Sequence, residues 1–174
     1  EKIIIQSTSG EKVTYGQLAK RVNQSGNVLK NIGLNPCDRI LMVVKDSPEF
    51  FYLFWGAIKA GYVPVPLNTL FRSNDYAYII EDSDCASVFY SPEFKIEVES
   101  ALGQVSRSPD HSCLTEGVSG SFLEQLQSAS LELDAAPASA TDDCFWLYSS
   151  GTTGKPKGVV HSHRDMVVTS QHYG

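Results

Sequence analysis

An unbroken apolar run, Ile40-Leu41-Met42-Val43-Val44, sits between two helical patterns. A strand with one wet face alternates apolar and polar side chains. A continuous run is what a strand shows when helices cover both faces of a parallel sheet. Upstream, residues 14 to 32 place Tyr15, Leu18, Val22, Ser25, Leu29 and Ile32 at helical spacing. Thr14 and Gln17 form a capping box at the start, and Gly33 suits the end. Downstream, Ser47-Pro48 reads as an N-cap followed by proline at the first helical position.

The helix from Pro48 to Ala60 is apolar almost all round, through Phe50, Phe51, Leu53, Phe54, Trp55, Ala57 and Ile58, which predicts burial rather than a substrate box. Gly61 stops it. Val63-Pro64-Val65-Pro66-Leu67 contains prolines that cannot donate to a ladder, so it is an edge strand or a rigid loop. Ser73 is expected to cap a third helix reaching Glu81, Ala86 to Tyr90 forms a short strand, and Ser91-Pro92 begins another helix. These alternations predict a doubly wound α/β fold. From 117 to 143 the pattern loosens into a surface connection containing one short helical piece, Phe122 to Gln127.

The chain has 174 residues and a net charge of -6, which disfavours a nucleic-acid binder. No apolar stretch approaches the roughly 20 residues that span a bilayer. Cys37, Cys85, Cys113 and Cys144 are scattered without a Cys-x-x-Cys pair, so they read as reduced, individually packed thiols of a cytoplasmic protein. The opening Glu1-Lys2-Ile3 has neither an initiating methionine nor the character of a signal peptide, and a missing true N-terminus is expected.

Against that acidic background, the stretch from Cys144 to Arg164 carries Lys155, Lys157 and Arg164 and no acid. Apolar, strand-like flanks enclose Ser149-Ser150-Gly151-Thr152-Thr153-Gly154-Lys155-Pro156-Lys157-Gly158. Gly151, Gly154 and Gly158 would let backbone N–H groups approach oxygens, Ser149, Ser150, Thr152 and Thr153 add hydroxyls, and Lys155 and Lys157 add charge. This is the composition of a phosphate cradle. A Walker loop is excluded because Ser149 stands where its first glycine belongs and Pro156 follows Lys155. The kinase loop is excluded for want of Gly-x-Gly. A plain hairpin turn remains the bland alternative.

The string Tyr148 to Gly158 resembles the signature loop of the adenylate-forming superfamily, which includes acyl-CoA synthetases, peptide-synthetase adenylation domains and firefly luciferase. Val13-Thr14-Tyr15-Gly16-Gln17-Leu18 and the stretch from Gly56 to Asn68 match two earlier family segments in order. Val65 to Leu70, Asp75 to Ser83, and Gly158 to His163 with His172-Tyr173-Gly174 look most like the benzoate-CoA ligase branch, with fatty acyl-CoA synthetases as the runner-up.

The resemblance implies an ATP-dependent, AMP-forming aryl-CoA ligase that uses Mg2+ and coenzyme A on an aromatic carboxylate. It implies phosphate contacts from Ser149, Ser150, Gly151, Thr152, Thr153, Gly154 and Lys155, with Lys157 in support. His163 matches the family histidine after the loop, a position that in the family lies near the carboxylate and the pantetheine path, and is the candidate active-site residue. His161 is as much a packing residue. Were both on one strand they would share a face, but two histidines without further ligands make a poor zinc site. Trp146 and Tyr148 read as core or loop support. In the family, the segments for adenine, ribose, the acyl pocket and the adenylation lysine all follow the loop. Residues 1–174 are therefore expected to be a partial N-terminal domain, inactive alone. A non-catalytic nucleotide-binding module is the other reading.

Overall fold

A computed structural model of the chain describes residues 2–8, 10–149 and 154–173. In chain order the first half comprises β1 (Ile3–Gln6), β2 (Lys12–Thr14), α1 (Tyr15–Asn31), β3 (Arg39–Val43), α2 (Pro48–Ala60), β4 (Val63–Pro66) and α3 (Ser73–Ser83). The second comprises β5 (Ser87–Tyr90), α4 (Lys95–Leu102), β6 (His111–Leu114), α5 (Phe122–Ser128), β7 (Asp143–Ser149), β8 (Lys157–Ser162) and α6 (His163–Tyr173).

The central sheet has the order β4-β3-β5-β6, and every pair in it is parallel. Its inner strand explains the apolar run. Ile40, Met42 and Val44 join Leu29, Leu53, Ala57, Phe122 and Leu126 on the face covered by α1, α2 and α5. Leu41 and Val43 join Tyr76, Ile79, Ile80, Val98 and Ala101 on the face covered by α3 and α4. Fully burying one such aliphatic side chain contributes roughly 1.5–3 kcal/mol. The sheet is thus doubly wound.

The α1 capping box forms as expected: the Thr14 N–H donates to Gln17 Oε1 at 2.8 Å, and the Gln17 N–H donates to Thr14 Oγ1 at 3.3 Å. Gly61 ends α2 at φ 88°. Three local expectations need correction. Ser47 holds the N-cap backbone position of α2, but its hydroxyl caps nothing and is buried without a hydrogen-bond partner. At α3 the cap is Arg72, whose N–H donates to Asp75, while the Ser73 N–H goes to Glu97 Oε2 at 2.8 Å. A carboxylate brought in from α4 thus does what a serine hydroxyl was expected to do, and α3 runs on to Ser83. Finally, α2 is not buried all round. Its Leu53 and Ala57 side packs on α1 and the sheet, whereas Phe51 and Trp55 stay 39% and 38% exposed.

α1 and α2 cross closely where Ser25 and Gly26 meet Gly56; a Cβ on Gly56 would lie 3.0 Å from the Gly26 nitrogen. The connection after α5 is tied down by amides on α1. Asn23 Nδ2 donates to the Leu131 carbonyl at 2.7 Å, and Asn27 Nδ2 to those of Ser130 and Glu132 at 3.0 and 2.9 Å.

β4 is an edge strand for a backbone reason. The Val63 and Leu67 N–H groups donate toward β3, to Asp38 and Met42 carbonyls, so the intervening even positions face outward. Those positions are Pro64 and Pro66, which have no N–H to offer. β7 therefore lies beside β4 without a ladder and pairs with β8 instead.

Candidate functional site

The predicted cradle is the tip of the β7–β8 hairpin. Trp146 opposes Val160, Leu147 opposes Val159, Tyr148 opposes Gly158 and Ser149 opposes Lys157, all antiparallel. A loop over 150–156 is longer than the two to five residues of common hairpin connections. Ser150, Gly151, Thr152 and Thr153 lie outside the described residues. Ser149, Gly154, Lys155 and Lys157 lie within them and are all exposed.

Gly154 has φ +127°, a conformation that strains any L side chain, and a Cβ there would meet nothing within 4 Å. Its glycine is required by the backbone and not by crowding. Gly158 is different. A Cβ there would sit 3.1 Å from the Tyr148 ring, so its missing side chain makes room for that ring across the strand pair rather than for phosphate.

The two loop lysines differ in surroundings. Pro156 between them is buried and pins the returning chain, which leaves both ammonium groups outside. Among the described residues neither Lys155 nor Lys157 forms an ion pair with a carboxylate. Lys155 Nζ lies instead over the Tyr78 ring of α3, 4.5 Å from its centroid. Two cations without a carboxylate ion pair, a serine hydroxyl and a positive-φ glycine, carried at the paired ends of β7 and β8, fit a polyphosphate. No group of three or more metal-ligating side chains exists among the described residues.

The stem of the loop is held by residues that have no local signal in the sequence. Tyr148 Oη donates to Asp82 Oδ2 at 2.6 Å, and Tyr78 Oη donates to Asp82 Oδ1 at 3.2 Å. Burial first, and then the bond to Asp82, push the Tyr148 phenol well above its ordinary range, so it stays a donor. Trp146 packs against the α3 side of the core, with Arg39 over its ring and its indole N–H on Asp143.

The structure does not bring His163 to the loop. β8 ends at Ser162 and His163 opens α6, so the length of β8, roughly 20 Å at about 3.3 Å per residue, separates it from Lys157. Its N–H donates to the Asp142 carbonyl at 3.1 Å, and the Asp165 carboxylate accepts the Ser162 N–H at 2.8 Å, which holds Asp165 below its usual range. The two histidines therefore do not share a strand, and His163 stands at the junction of β8 and α6, at the far end of β8 from the phosphate loop. His161 stacks on Phe145.

A cavity of about 720 Å³ between β1 and the first turns of α2 is lined by Ile4, Tyr15, Leu18, Phe50, Phe51 and Trp55, and shares no residue with the hairpin. Its apolar walls carry no cation.

The model of the family described as AMP-binding enzyme matches residues 1–173. The chain is 41% identical to a benzoate–CoA ligase of Thauera aromatica over 92% of its own length and 31% of the relative's. It is 31% identical to a long-chain-fatty-acid–CoA ligase of Mycobacterium tuberculosis over 93% of its length and 32% of the relative's. A solved benzoate CoA ligase from Burkholderia xenovorans LB400 superposes with a TM-score of 0.88 at 32% identity, covering 99% of this chain and 33% of that one. The chain thus spans about a third of the length of these relatives.

Proposed function

Because the chain belongs to the AMP-binding enzyme family, we propose that it is the opening part of the N-terminal domain of an ATP-dependent aryl-CoA ligase. The carrying observation is the exposed, unneutralised pair Lys155 and Lys157, presented with Ser149 at the tip of a strand-paired hairpin. In the reaction a carboxylate oxygen bonds to the α-phosphorus of ATP while the bond to the β-phosphate oxygen breaks, releasing pyrophosphate. The coenzyme A thiolate then bonds to the carbonyl carbon while the bond to AMP breaks.

The hairpin acts in the first step. Negative charge grows on the departing pyrophosphate, and donors already aimed there stabilise the transition state more than bound ATP. Ser149, Ser150, Gly151, Thr152, Thr153, Gly154 and Lys155 are assigned that role, with Lys157 on the opposite strand supporting the phosphates. Mg2+ is assigned to arrive with the nucleotide, where it would offset phosphate charge. His163, at the far end of β8 from the phosphates, is assigned to the active site on the side of the acyl carboxylate and the pantetheine path.

The greater identity to a benzoate–CoA ligase than to the fatty-acid ligase favours an aromatic carboxylate. No helix among the described residues is long and apolar enough to cross a membrane. A cytoplasmic setting is part of the proposal, in keeping with the unpaired thiols of Cys85 and Cys144.

The test is AMP formation by the whole ligase with ATP, Mg2+ and coenzyme A across benzoate, hydroxybenzoates and fatty acids. Turnover greatest on an aromatic acid is expected. Preference for long-chain acids would replace the substrate class, and ATP binding without AMP formation from any acid would leave a nucleotide-binding module.

A further inference from the structure

Both sides of the phosphate loop rest on one face of α3. Tyr78 and Asp82 are four residues apart on that helix and so neighbours on its surface. Asp82 uses both carboxylate oxygens, one for the Tyr148 hydroxyl at 2.6 Å and one for the Tyr78 hydroxyl at 3.2 Å. Tyr148 belongs to the strand entering the loop, and Lys155 to the segment leaving it. The lysine's ammonium lies 4.5 Å from the Tyr78 ring centroid. One carboxylate therefore fixes the entering strand and orients the ring that receives the departing cation.

The way Lys155 is held matters. Its berth is an aromatic face, although the carboxylates of Glu81 and Asp82 lie on the same helix and the charge of Lys155 already helps hold Glu81 below its usual range, after the hydrogen bonds from Ser106. A carboxylate partner would neutralise the cation that phosphate needs. An exposed cation–π contact is weak enough to exchange for charge-assisted hydrogen bonds to phosphate. It still restricts a side chain that otherwise carries much rotamer freedom.

We propose that Tyr78 and Asp82 are positioning residues for the phosphate loop: Asp82 locks its entry through Tyr148 and orients Tyr78, whose ring holds Lys155 near the site until polyphosphate takes it. This rests on the function proposed above. Neither residue touches substrate.

The test uses the whole ligase, with ATP affinity measured by titration and kcat and KM measured for ATP and for the aromatic acid. Tyr78→Leu is expected to weaken ATP binding and raise the ATP KM about threefold to tenfold while leaving the acid KM unchanged, with at most a small fall in melting temperature from the ring's partial packing on the core. Tyr78→Phe, which keeps the ring, should restore most of that loss. Asp82→Ala and Tyr148→Phe should each weaken ATP binding, and the double variant should be no worse than the poorer single one. Wild-type ATP affinity in Tyr78→Leu and Asp82→Ala overturns the inference, as does tighter binding in Tyr78→Leu, which would mean the ring competes with phosphate. Equal loss for both substrates with a lowered melting temperature also overturns it, in favour of a purely structural role. A wild-type ligase that binds ATP but forms no AMP refutes the proposed function alone, since the affinity series still decides this inference; no ATP binding refutes both.

Discussion

The imidazole of His161 lies flat on the ring of Phe145, with centroids 4.6 Å apart and planes 7° from parallel. The two residues are cross-strand partners in β8 and β7, and Phe145 also meets Phe54 of α2 edge-on at 5.6 Å. His161 is thus the outer layer of an aromatic stack that ties the hairpin to α2. Such pairs contribute about 0.5–1.5 kcal/mol beyond their buried area. His161→Phe should keep both melting temperature and ATP-pyrophosphate exchange. His161→Ala should lower stability by about 1 kcal/mol, or roughly 2–4 °C in a melting curve. Loss of exchange in His161→Phe at an unchanged melting temperature would instead make the imidazole a participant.

The α1–α2 crossing gives a larger effect. A Cβ at Gly56 would press on the Ser25 side chain and come 3.0 Å from the Gly26 backbone nitrogen. Backbone cannot move aside as a flexible side chain can. Gly56→Ala should therefore destabilise by about 1–3 kcal/mol despite alanine's better helix propensity. Gly33→Ala has open space around the Cβ and strain only from φ 81°, so it should cost less in a urea melt.

Thiol chemistry should single out one cysteine. Cys37 is exposed, while burial pushes the Cys85 thiol up to about 12 and the Cys144 thiol to about 11. Buried neutral thiols are poor nucleophiles at pH 7.5. Brief maleimide treatment followed by peptide mapping should find Cys37 modified, with Cys85 and Cys144 modified only after denaturation. Early labelling of Cys85 would mean that the bottom of the sheet opens.

Lys45, just beyond β3, joins Glu116 at 2.7 Å and Glu93 at 2.9 Å. The hydrogen bonds to Glu116 and then Glu93 raise the lysine above its ordinary range, and the bond from Lys45 lowers Glu93. The lysine's share of stability is complete below its unfolded value near 10.4 and is lost as pH rises through the folded one. The share from Glu93 is complete above about 4.3 and is lost as pH falls through its folded value. All three side chains are at least a third exposed, so screening limits each pair to roughly 0.2–1 kcal/mol. Lys45→Met should lower stability by about that much between pH 5 and 10, and by less in 1 M salt. An unchanged melting temperature at pH 7 in low salt would leave the cluster without net worth.

What could be read from sequence follows from where each element obtains its hydrogen bonds and burial. β3 was legible because both its faces are buried, and α1 because Thr14 and Gln17 satisfy its first turn locally. β1, β2 and β6 were missed. They are short and mostly exposed or half-buried, so they carry little periodic signal; β1 and β2 are strands because they pair with each other, and β6 because it pairs with β5. The loop was legible as chemistry, since its residue types alone suit phosphate. Its mounting was not: Tyr78 and Asp82 look like an ordinary helix face until the fold sets β7 beside β4 and turns Tyr148 toward α3. That His163 opens a helix was not legible, because the switch from strand to helix at Ser162 depends on the Asp142 and Ala140 carbonyls, which accept the first N–H groups of α6.

The hydroxyls of Thr152 and Thr153 give the sharpest separation between cradle and plain turn. A turn uses Gly154 and Pro156 for its backbone course and needs no hydroxyl at 152 or 153, so their loss would leave the hairpin and its catalysis untouched. In a cradle these groups donate to oxygens whose charge grows as pyrophosphate leaves. Removing one such donor typically lowers kcat by about 10² to 10³. In the whole ligase, Thr152→Ala combined with Thr153→Ala should cut ATP-pyrophosphate exchange at least 100-fold, on the order of the loss of one such donor. The thioester-forming half-reaction, started from a supplied acyl-adenylate, should be much less affected, since no pyrophosphate departs there. Near-normal exchange in the double variant would remove the phosphate role of the loop, and equal loss in both half-reactions would point to a damaged fold.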